Sequence, residues 1–168
     1  MGKLAFATVG TTRFDALTAA LVRPDVTATL AAAGYTRLRI QIGRGDEPTL
    51  AGPPTLAVEW YRFKEALAAD VRDASLVISH AGAGSILEAL RSDGTLLVVV
   101  INDALMDNHQ EELARELDAR RHLVATTVGG LGEALCDLPE RAAALVPLPT
   151  AKPAVFAHAL GERLFDLP

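Results

Sequence analysis

The sequence has few of the features that characterise disulfide-bonded or membrane-spanning proteins. Cys136 is the one cysteine among 168 residues, so no internal disulfide can form, and we expect a reducing compartment. The longest wholly apolar run, 96–101, is far shorter than the roughly 20 residues that cross a bilayer. We therefore expect a soluble cytoplasmic protein with no membrane segment of its own.

Neither sign of charge dominates, and several catalytic motifs are missing. The chain has 16 basic and 21 acidic residues and no basic block, which argues against a nucleic-acid partner. It also lacks an Asp-x-Asp motif, a Gly-x-x-x-x-Gly-Lys-Ser/Thr phosphate loop, a Gly-x-Ser-x-Gly nucleophile and paired zinc ligands, so we expect no metal. With 50% hydrophobic and 22% charged residues, 1–168 is predicted to form a single globular domain.

Short apolar runs alternate with segments of helix-forming residues. Strands are predicted at 4–9, 38–42, 56–60, 76–78, 96–101 and 122–125. Helices are predicted at 14–33 with a break at Arg23-Pro24, at 64–73, from about 85 to 91, and at 109–120, 131–135 and 154–165. Strands joined through helices pair in parallel, because a tight hairpin cannot connect parallel neighbours. This pattern predicts a Rossmann-like, doubly wound, three-layer α/β fold.

Ligands of such sheets bind beyond the carboxyl ends of the strands. The informative loops are therefore 10–15, 43–45, 80–85 and 102–110, which we expect at one edge. The glycine-rich segment 81–85 opens a helix, and its free amides together with the helix dipole suit a phosphate or diphosphate. A dinucleotide fingerprint does not fit, because Leu87 stands where its third glycine belongs.

Two interpretations of Glu88 stay open on spacing alone. Ser85 and Glu88 have the spacing of a capping box, in which the serine caps the helix and the glutamate reaches back to its amide. Alternatively, the carboxylate of Glu88 accepts hydrogen bonds from the ribose hydroxyls of a nucleotide. Both roles cannot be fully satisfied at once.

The remaining polar residues of the loops also allow a functional and a structural interpretation. Asn108, His109 and Gln110 match sugar hydroxyls, although Asn108 also suits a helix N-cap. Gly10, Thr11 and Thr12 offer amides and hydroxyls to a phosphate, or form an ordinary turn. His80 is either held by structural hydrogen bonds or, when charged, stabilises a leaving group.

Four motifs together carry a specific resemblance. They are FATVGTT at 6–12, QIGRG at 41–45, SHAGAGS at 79–85 followed by Glu88, and VVIN at 99–102 leading to NHQ at 108–110. Over about 4–124 the chain closely resembles catalytic subunits of two-component UDP-N-acetylglucosamine transferases of dolichol-linked oligosaccharide synthesis, which have a domain of the glycosyltransferase family 28 C-terminal type. It is also similar to the donor-binding half of the bacterial transferase that acts on the lipid-linked peptidoglycan precursor.

This resemblance implies the donor-binding lobe of a GT-B enzyme divided between two chains. The implied reaction transfers N-acetylglucosamine from UDP-N-acetylglucosamine to N-acetylglucosaminyl-diphosphodolichol with inversion, without a metal or other cofactor. A membrane-anchored partner would supply the acceptor lobe and the general base at the cytosolic face of the endoplasmic reticulum. The terminal helix, 153–166, is a candidate for docking that partner or for covering its own domain.

The resemblance also assigns roles to individual residues. Glu88 would hold the ribose, and Phe63 and Lys64 would lie against the uracil. Thr11 and Thr12, beside Gly10, would close over the phosphates. The diphosphate would bind Gly82, Ala83, Gly84 and Ser85, and the sugar would bind Asn108, His109 and Gln110. His80 is the candidate catalytic residue.

Two other functions remain open. The chain is alternatively a subunit of a bacterial exopolysaccharide glycosyltransferase that uses another donor or polyprenyl acceptor. It is otherwise a nucleotide-sugar-binding module without catalysis.

Overall fold

The computed structural model describes residues 2–92, 94–103 and 109–149, with the backbone alone at 109 and 110. The strands in these ranges are β1 (Lys3–Thr8), β2 (Tyr35–Gln41), β3 (Ala57–Tyr61), β4 (Leu76–His80), β5 (Leu96–Ile101) and β6 (Val124–Thr127). The helices are α1 (Asp15–Leu21), α2 (Pro24–Ala32), α3 (Ala68–Asp73), α4 (Ala83–Leu90), α5 (His109–Ala119), α6 (Leu131–Cys136) and α7 (Leu138–Ala142).

All strand pairings of the sheet are parallel, and the strand order is β3-β2-β1-β4-β5-β6. The chain builds outward from β1 to β3, returns to place β4 beside β1, and continues outward to β6. Thr8 of β1 is in register with Ser79 of β4, and the chain leaves these two strands toward opposite faces of the sheet. A crevice opens at such a reversal of strand order.

Both faces of the sheet are covered by helices. Successive residues of β1 point to opposite faces, as the pleat requires. Ala5 and Ala7 belong to a hydrophobic cluster with α1, α2, α6 and α7, whereas Leu4 and Phe6 belong to a second cluster with α3, α4 and α5. The apolar strand β5 contributes buried residues to both clusters. The predicted doubly wound, three-layer α/β fold is confirmed.

The structure corrects several predicted boundaries: strand β2 begins at Tyr35 rather than at 38, and β4 continues to His80 rather than 78. Helix α3 begins at Ala68, not at 64, because the Lys64 side chain folds back onto Asp70 and residues 64–67 form a loop. Strand β6 begins two residues later than predicted. The amide of His122 still donates to the Leu117 carbonyl at 2.9 Å and completes the end of α5.

The described residues leave two predictions untested. The terminal helix predicted at 153–166 lies outside the described residues, and the single domain over 1–168 stays a prediction. Within the described ranges, every helix is too short or too polar to cross a membrane.

Candidate functional site

A cleft of about 400 Å³ lies at the carboxyl edge of the sheet, on the side of β1 and β2. Four separate segments line it: the loop after β1, the end of β2, the loop after β3, and helix α4. They bring together five residues predicted for the site: Gly10, Thr11, Phe63, Lys64 and Glu88. The other lining residues are Gln41, Glu65, Ala66 and Leu67.

The loop after β1 turns sharply at Gly10, which has a φ of +64°. Thr8 Oγ1 accepts a hydrogen bond from the Gly10 amide at 3.0 Å, so the turn is tied to the strand before it. Thr11 is exposed at the cleft. Thr12, also predicted for the site, is exposed beside it, but its hydroxyl donates to the Val9 carbonyl at 2.7 Å and it is absent from the lining.

Helix α4 begins with the glycine-rich segment that follows β4. Gly82 is its N-cap residue and Ala83 its first helical residue. The first amides of a helix have no partner within it, so this end presents donors and a positive dipole end to an anion. Ala83 and Gly84 are exposed, and a Cβ at Gly84 would meet nothing within 4 Å. Ser85 is half-buried in the first turn.

The capping-box interpretation of Glu88 is wrong. The N-cap is Gly82, three residues before Ser85, and no side chain caps this helix. Glu88 instead lies one turn into α4 and is exposed. It borders both the cleft and a second depression of about 400 Å³ that Arg72 and Arg91 line. Among the described residues, no hydrogen bond or ion pair engages its carboxylate, so it is free to accept hydrogen bonds from a ligand.

On the wall formed by the loop after β3, an ion pair holds the Lys64 side chain, whereas the Phe63 side chain is exposed. Lys64 Nζ lies 2.8 and 2.9 Å from the two carboxylate oxygens of Asp70, and 4.3 Å from the centre of the Tyr61 ring. The neighbouring Phe63 side chain is 53% exposed. An exposed aromatic ring at the rim of a cleft provides a surface on which a planar base can stack.

Asp70 is the buried centre of this wall, with 2% of its side chain exposed. Arg39 Nη1 donates to it at 2.7 Å and the Tyr61 hydroxyl at 2.6 Å, in addition to Lys64. Burial opposes ionisation of the carboxyl, but the hydrogen bonds from Lys64, Tyr61 and Arg39 outweigh burial and lower its pKa below 3.8. Burial, together with the Asp70 charge, raises the pKa of Tyr61. Asp70 therefore stays charged and holds the wall in place.

His80, the candidate catalytic residue, lies between two glycines of the site. A Cβ at Gly10 would lie 2.7 Å from His80 Cε1, and a Cβ at Gly82 would be closer still to Nε2. His80 Nδ1 lies 3.4 Å from the Thr8 carbonyl, which assigns the proton of the neutral ring to Nδ1. Burial lowers the pKa of His80, so the free protein holds a neutral ring. Its catalytic role stays a prediction.

The residues predicted to bind the sugar are described only in part. Asn108 lies outside the described residues, and the backbones of His109 and Gln110 form the start of α5. Their contacts with a sugar therefore stay a prediction. Within the described ranges, no three histidine, cysteine, aspartate or glutamate residues gather in an arrangement that would hold a metal ion.

Gln41 and Asp70 are site residues for which the sequence analysis had no role. Gln41 stands in one of the quoted motifs and ends a strand in which polar and apolar residues alternate. Asp70 follows Leu67 by three residues and so shares its helix face, which places a carboxylate toward the interior. A polar residue on an apolar helix face is the signal that identifies Asp70, whereas the alternation of β2 gives no such signal for Gln41, which occupies a polar position like Arg39.

Comparisons with known proteins show the family of the chain. The glycosyltransferase family 28 C-terminal domain matches residues 4–159. The chain belongs to this family. The predicted resemblance is thereby confirmed.

Relatives of this family 28 domain come from animals and fungi. The UDP-N-acetylglucosamine transferase subunit ALG13 of Homo sapiens is 48% identical over 74% of this chain and 11% of the human protein. The subunit of that name from Yarrowia lipolytica is 39% identical over 71% of this chain and 62% of its own length. The subunit of that name from Eremothecium gossypii is 35% identical over 90% of this chain and 88% of its own length. The chain thus spans a small part of its human relative and most of the last one.

Solved structures share the fold of this family 28 domain. The NMR solution structure of ALG13 matches with a TM-score of 0.65 and 27% identity, over 95% of this chain and 94% of that chain. The crystal structure of Acinetobacter baumannii MurG matches with a TM-score of 0.60 and 22% identity, over 82% and 40%, and informs the fold alone. The predicted Rossmann-like fold of the GT-B glycosyltransferase type is confirmed.

Proposed function

We propose that the chain is the donor-binding, catalytic subunit of an inverting transferase that moves N-acetylglucosamine from UDP-N-acetylglucosamine to N-acetylglucosaminyl-diphosphodolichol. The observation that carries the proposal is the cleft itself. It gathers the Gly10 turn, the exposed Phe63 ring and the Glu88 carboxylate, which has no partner among the described residues, at the reversal of strand order. The printed names of the relatives support the choice of donor, since each is a UDP-N-acetylglucosamine transferase subunit.

In the proposed complex, the first turn of α4 binds the diphosphate and Glu88 binds the ribose. Glu88 follows Ala83 by five residues, which is about 7.5 Å along a helix axis. The two groups therefore contact neighbouring parts of a nucleotide rather than the same atom. The uracil stacks on Phe63, and Thr11 and Thr12 lie against the phosphates.

The reaction is a direct displacement at the anomeric carbon. The acceptor hydroxyl oxygen forms a bond to this carbon as the bond to the diphosphate oxygen breaks, and the electron pair leaves with UDP. The amides of α4 stabilise the charge that develops on the leaving group, so the proposal requires no metal. A base on the partner subunit takes the hydroxyl proton.

His80 has a place in this proposal through its ring nitrogens. In the neutral ring, Nε2 lacks a proton and faces the Gly82 end of the diphosphate-binding segment. Diphosphate charge favours protonation, after which Nε2–H donates toward the departing oxygen. His80 would then act as the electrostatic catalyst that the sequence analysis expected.

The proposal includes a membrane-anchored partner that binds the acceptor lipid at the cytosolic face of the endoplasmic reticulum. The relatives are named as subunits, which supports a divided enzyme. The acceptor carries a long lipid, and the described part of this chain offers no membrane-spanning helix to reach it.

The decisive experiment co-expresses the chain with a candidate partner and measures sugar transfer to short lipid acceptors. We expect transfer to a dolichol-type acceptor, in the presence of a metal chelator, only when both chains are present. Transfer confined to undecaprenol-type acceptors would instead indicate an exopolysaccharide enzyme. Binding of UDP-N-acetylglucosamine without turnover would indicate a non-catalytic module.

A matched pair of variants tests the ribose site. Glu88→Gln removes the carboxylate charge and should weaken UDP binding about tenfold, as expected for hydrogen bonds to a charged group. Glu133→Gln is the control, because Glu133 is exposed on α6 and lies outside the cleft. Calorimetry on the two folded variants measures the affinities. If Glu88→Gln binds UDP as tightly as Glu133→Gln does, Glu88 does not bind the ribose.

A further inference from the structure

Gln41, the last residue of β2, makes all its side-chain hydrogen bonds beneath the cleft. It is 2% exposed. Its Nε2 donates to the carbonyls of Gly10 and Arg62, both at 2.7 Å. Its Oε1 accepts from Thr8 Oγ1 at 2.6 Å. Carbonyl oxygens only accept, so the two carbonyls fix the orientation of the amide.

These bonds connect two segments that lie 52 positions apart in the sequence, from Gly10 to Arg62. Each bonded carbonyl immediately precedes a wall of the cleft. Thr11 follows Gly10, and Phe63 and Lys64 follow Arg62. Gly10 is held twice, because its amide donates to Thr8 Oγ1, which in turn donates to Gln41. The two walls are thus joined through one side chain.

The residues after Gln41 support the same turn from below. The Arg44 amide donates to the Thr12 carbonyl at 3.0 Å. Gly43 has a φ of +56°, and a Cβ there would lie 2.8 Å from the Gly10 carbonyl oxygen. Any larger side chain at position 43 would therefore displace the Gly10 turn. The QIGRG segment, 41–45, therefore packs directly against the Gly10 turn and supports it.

We propose that Gln41 is a positioning residue that sets the distance between the phosphate-binding and base-binding walls of the donor cleft. The proposal rests on the proposed function and extends it. A nucleoside diphosphate contacts both walls at once, whereas a nucleoside contacts the base-binding wall and Glu88 but lacks the phosphates that reach the Gly10 turn. Gln41 thereby determines how strongly the site prefers UDP over uridine.

The test compares the UDP and uridine affinities of the isolated chain by NMR titration. Gln41→Leu removes the donor that the carbonyls of Gly10 and Arg62 share and frees the walls to separate. We expect the preference for UDP over uridine to fall about tenfold, which corresponds to about 1.4 kcal/mol. The amide signals of Thr11 and Phe63 should shift in the free variant.

Thr27→Val is the control for a loss of stability alone. Thr27 is 1% exposed and its hydroxyl donates to carbonyls at the start of α2, away from the cleft. This variant should keep the wild-type preference. If Gln41→Leu does not fold, Thr8→Val interrupts the same network with a side chain of similar shape, and should lower the preference at least about threefold.

The outcomes separate the two proposals. Failure of the wild-type chain to bind UDP would overturn the proposed function and this inference with it. Binding of UDP by the wild type, with an unchanged preference in the folded Gln41 or Thr8 variant, would overturn this inference alone. A reduced preference in those variants but not in Thr27→Val supports it.

Discussion

Asp70→Asn is the substitution that most directly tests how the base-binding wall is held. The carboxylate accepts from three residues, Arg39, Tyr61 and Lys64. Asparagine has nearly the same shape but one acceptor oxygen, and its amide nitrogen would face donors. Tyr61 can rotate its hydroxyl to accept, whereas Lys64 and Arg39 have no acceptor. The variant therefore leaves Lys64 without a charged partner, whereas Arg39 keeps its ion pair with Glu59.

The expected decrease in the free energy of unfolding depends on how exposed these partners are. Removing one member of a buried ion pair costs about 3–5 kcal/mol. Lys64 is 44% exposed and can return to water, and Arg39, which is 21% exposed, keeps Glu59 as a partner, so the loss should fall below that range. We therefore expect a loss of about 2–3 kcal/mol. In a chain of this size, this corresponds to a decrease of about 5–10 °C in Tm.

The pH dependence of the loss identifies its cause. The pKa of Asp70 is lower in the folded chain than the usual 3.8, so its contribution is complete above pH 3.8 and is lost as the pH falls through the folded value. The difference in unfolding free energy between wild type and Asp70→Asn should therefore be constant near neutral pH. It should shrink below pH 3.8.

Urea denaturation at a series of pH values measures this difference. Asp25→Asn serves as a control, since Asp25 pairs with Arg23 on the surface, and it should leave the midpoint near neutral pH unchanged. Equal unfolding free energies of wild type and Asp70→Asn at pH 7 would refute the reasoning. A difference that persists unchanged below pH 3.8 would refute it as well.

Two further predictions concern His80 and the glycines around it. Gly10→Ala combines a φ of +64° with a contact of 2.7 Å to His80 and should cost about 1–3 kcal/mol in urea denaturation, whereas Gly84→Ala meets nothing within 4 Å and should be neutral or stabilising. A fully stable Gly10→Ala variant would contradict the packing described for the turn. Because burial lowers the pKa of His80 below 6.5, its part of the unfolding free energy is complete above pH 6.5 and declines below it. NMR titration of the ring should give a midpoint below 6.5 in the free protein and a higher one with UDP; a midpoint that UDP leaves unchanged would argue against its catalytic role.

The approximate positions of the strands and the doubly wound fold were accessible to sequence reasoning because their signals are local. The unbroken apolar run of β5 predicts a strand covered on both faces, and the buried residues of both clusters confirm it. The glycine turns after β1 and β4 were likewise predicted from their composition. The parallel topology alone then predicts that these turns lie at the carboxyl edge of the sheet.

The errors arose where a local pattern competed with tertiary structure. Ser85 and Glu88 match a capping box, yet β4 continues to His80 and the helix begins directly after Gly82, so Ser85 falls within the first turn. The roles of Gln41 and Asp70 depend on partners such as Gly10 and Arg39, which lie 31 positions away. No spacing rule relates residues at such separations.

The distribution of paired and unpaired polar groups distinguishes scaffold from binding surface in this cleft. Gln41 and Asp70 are buried, and hydrogen bonds occupy their side chains. Glu88 is exposed without a partner among the described residues, and the first amides of α4 have none within the helix. A buried polar group without a partner is costly, so the paired groups maintain the walls. The exposed, unpaired groups are available to a ligand at little desolvation cost. The proposed donor, a nucleoside diphosphate sugar, carries phosphate and hydroxyl groups together, which would satisfy both the amides of α4 and the Glu88 carboxylate.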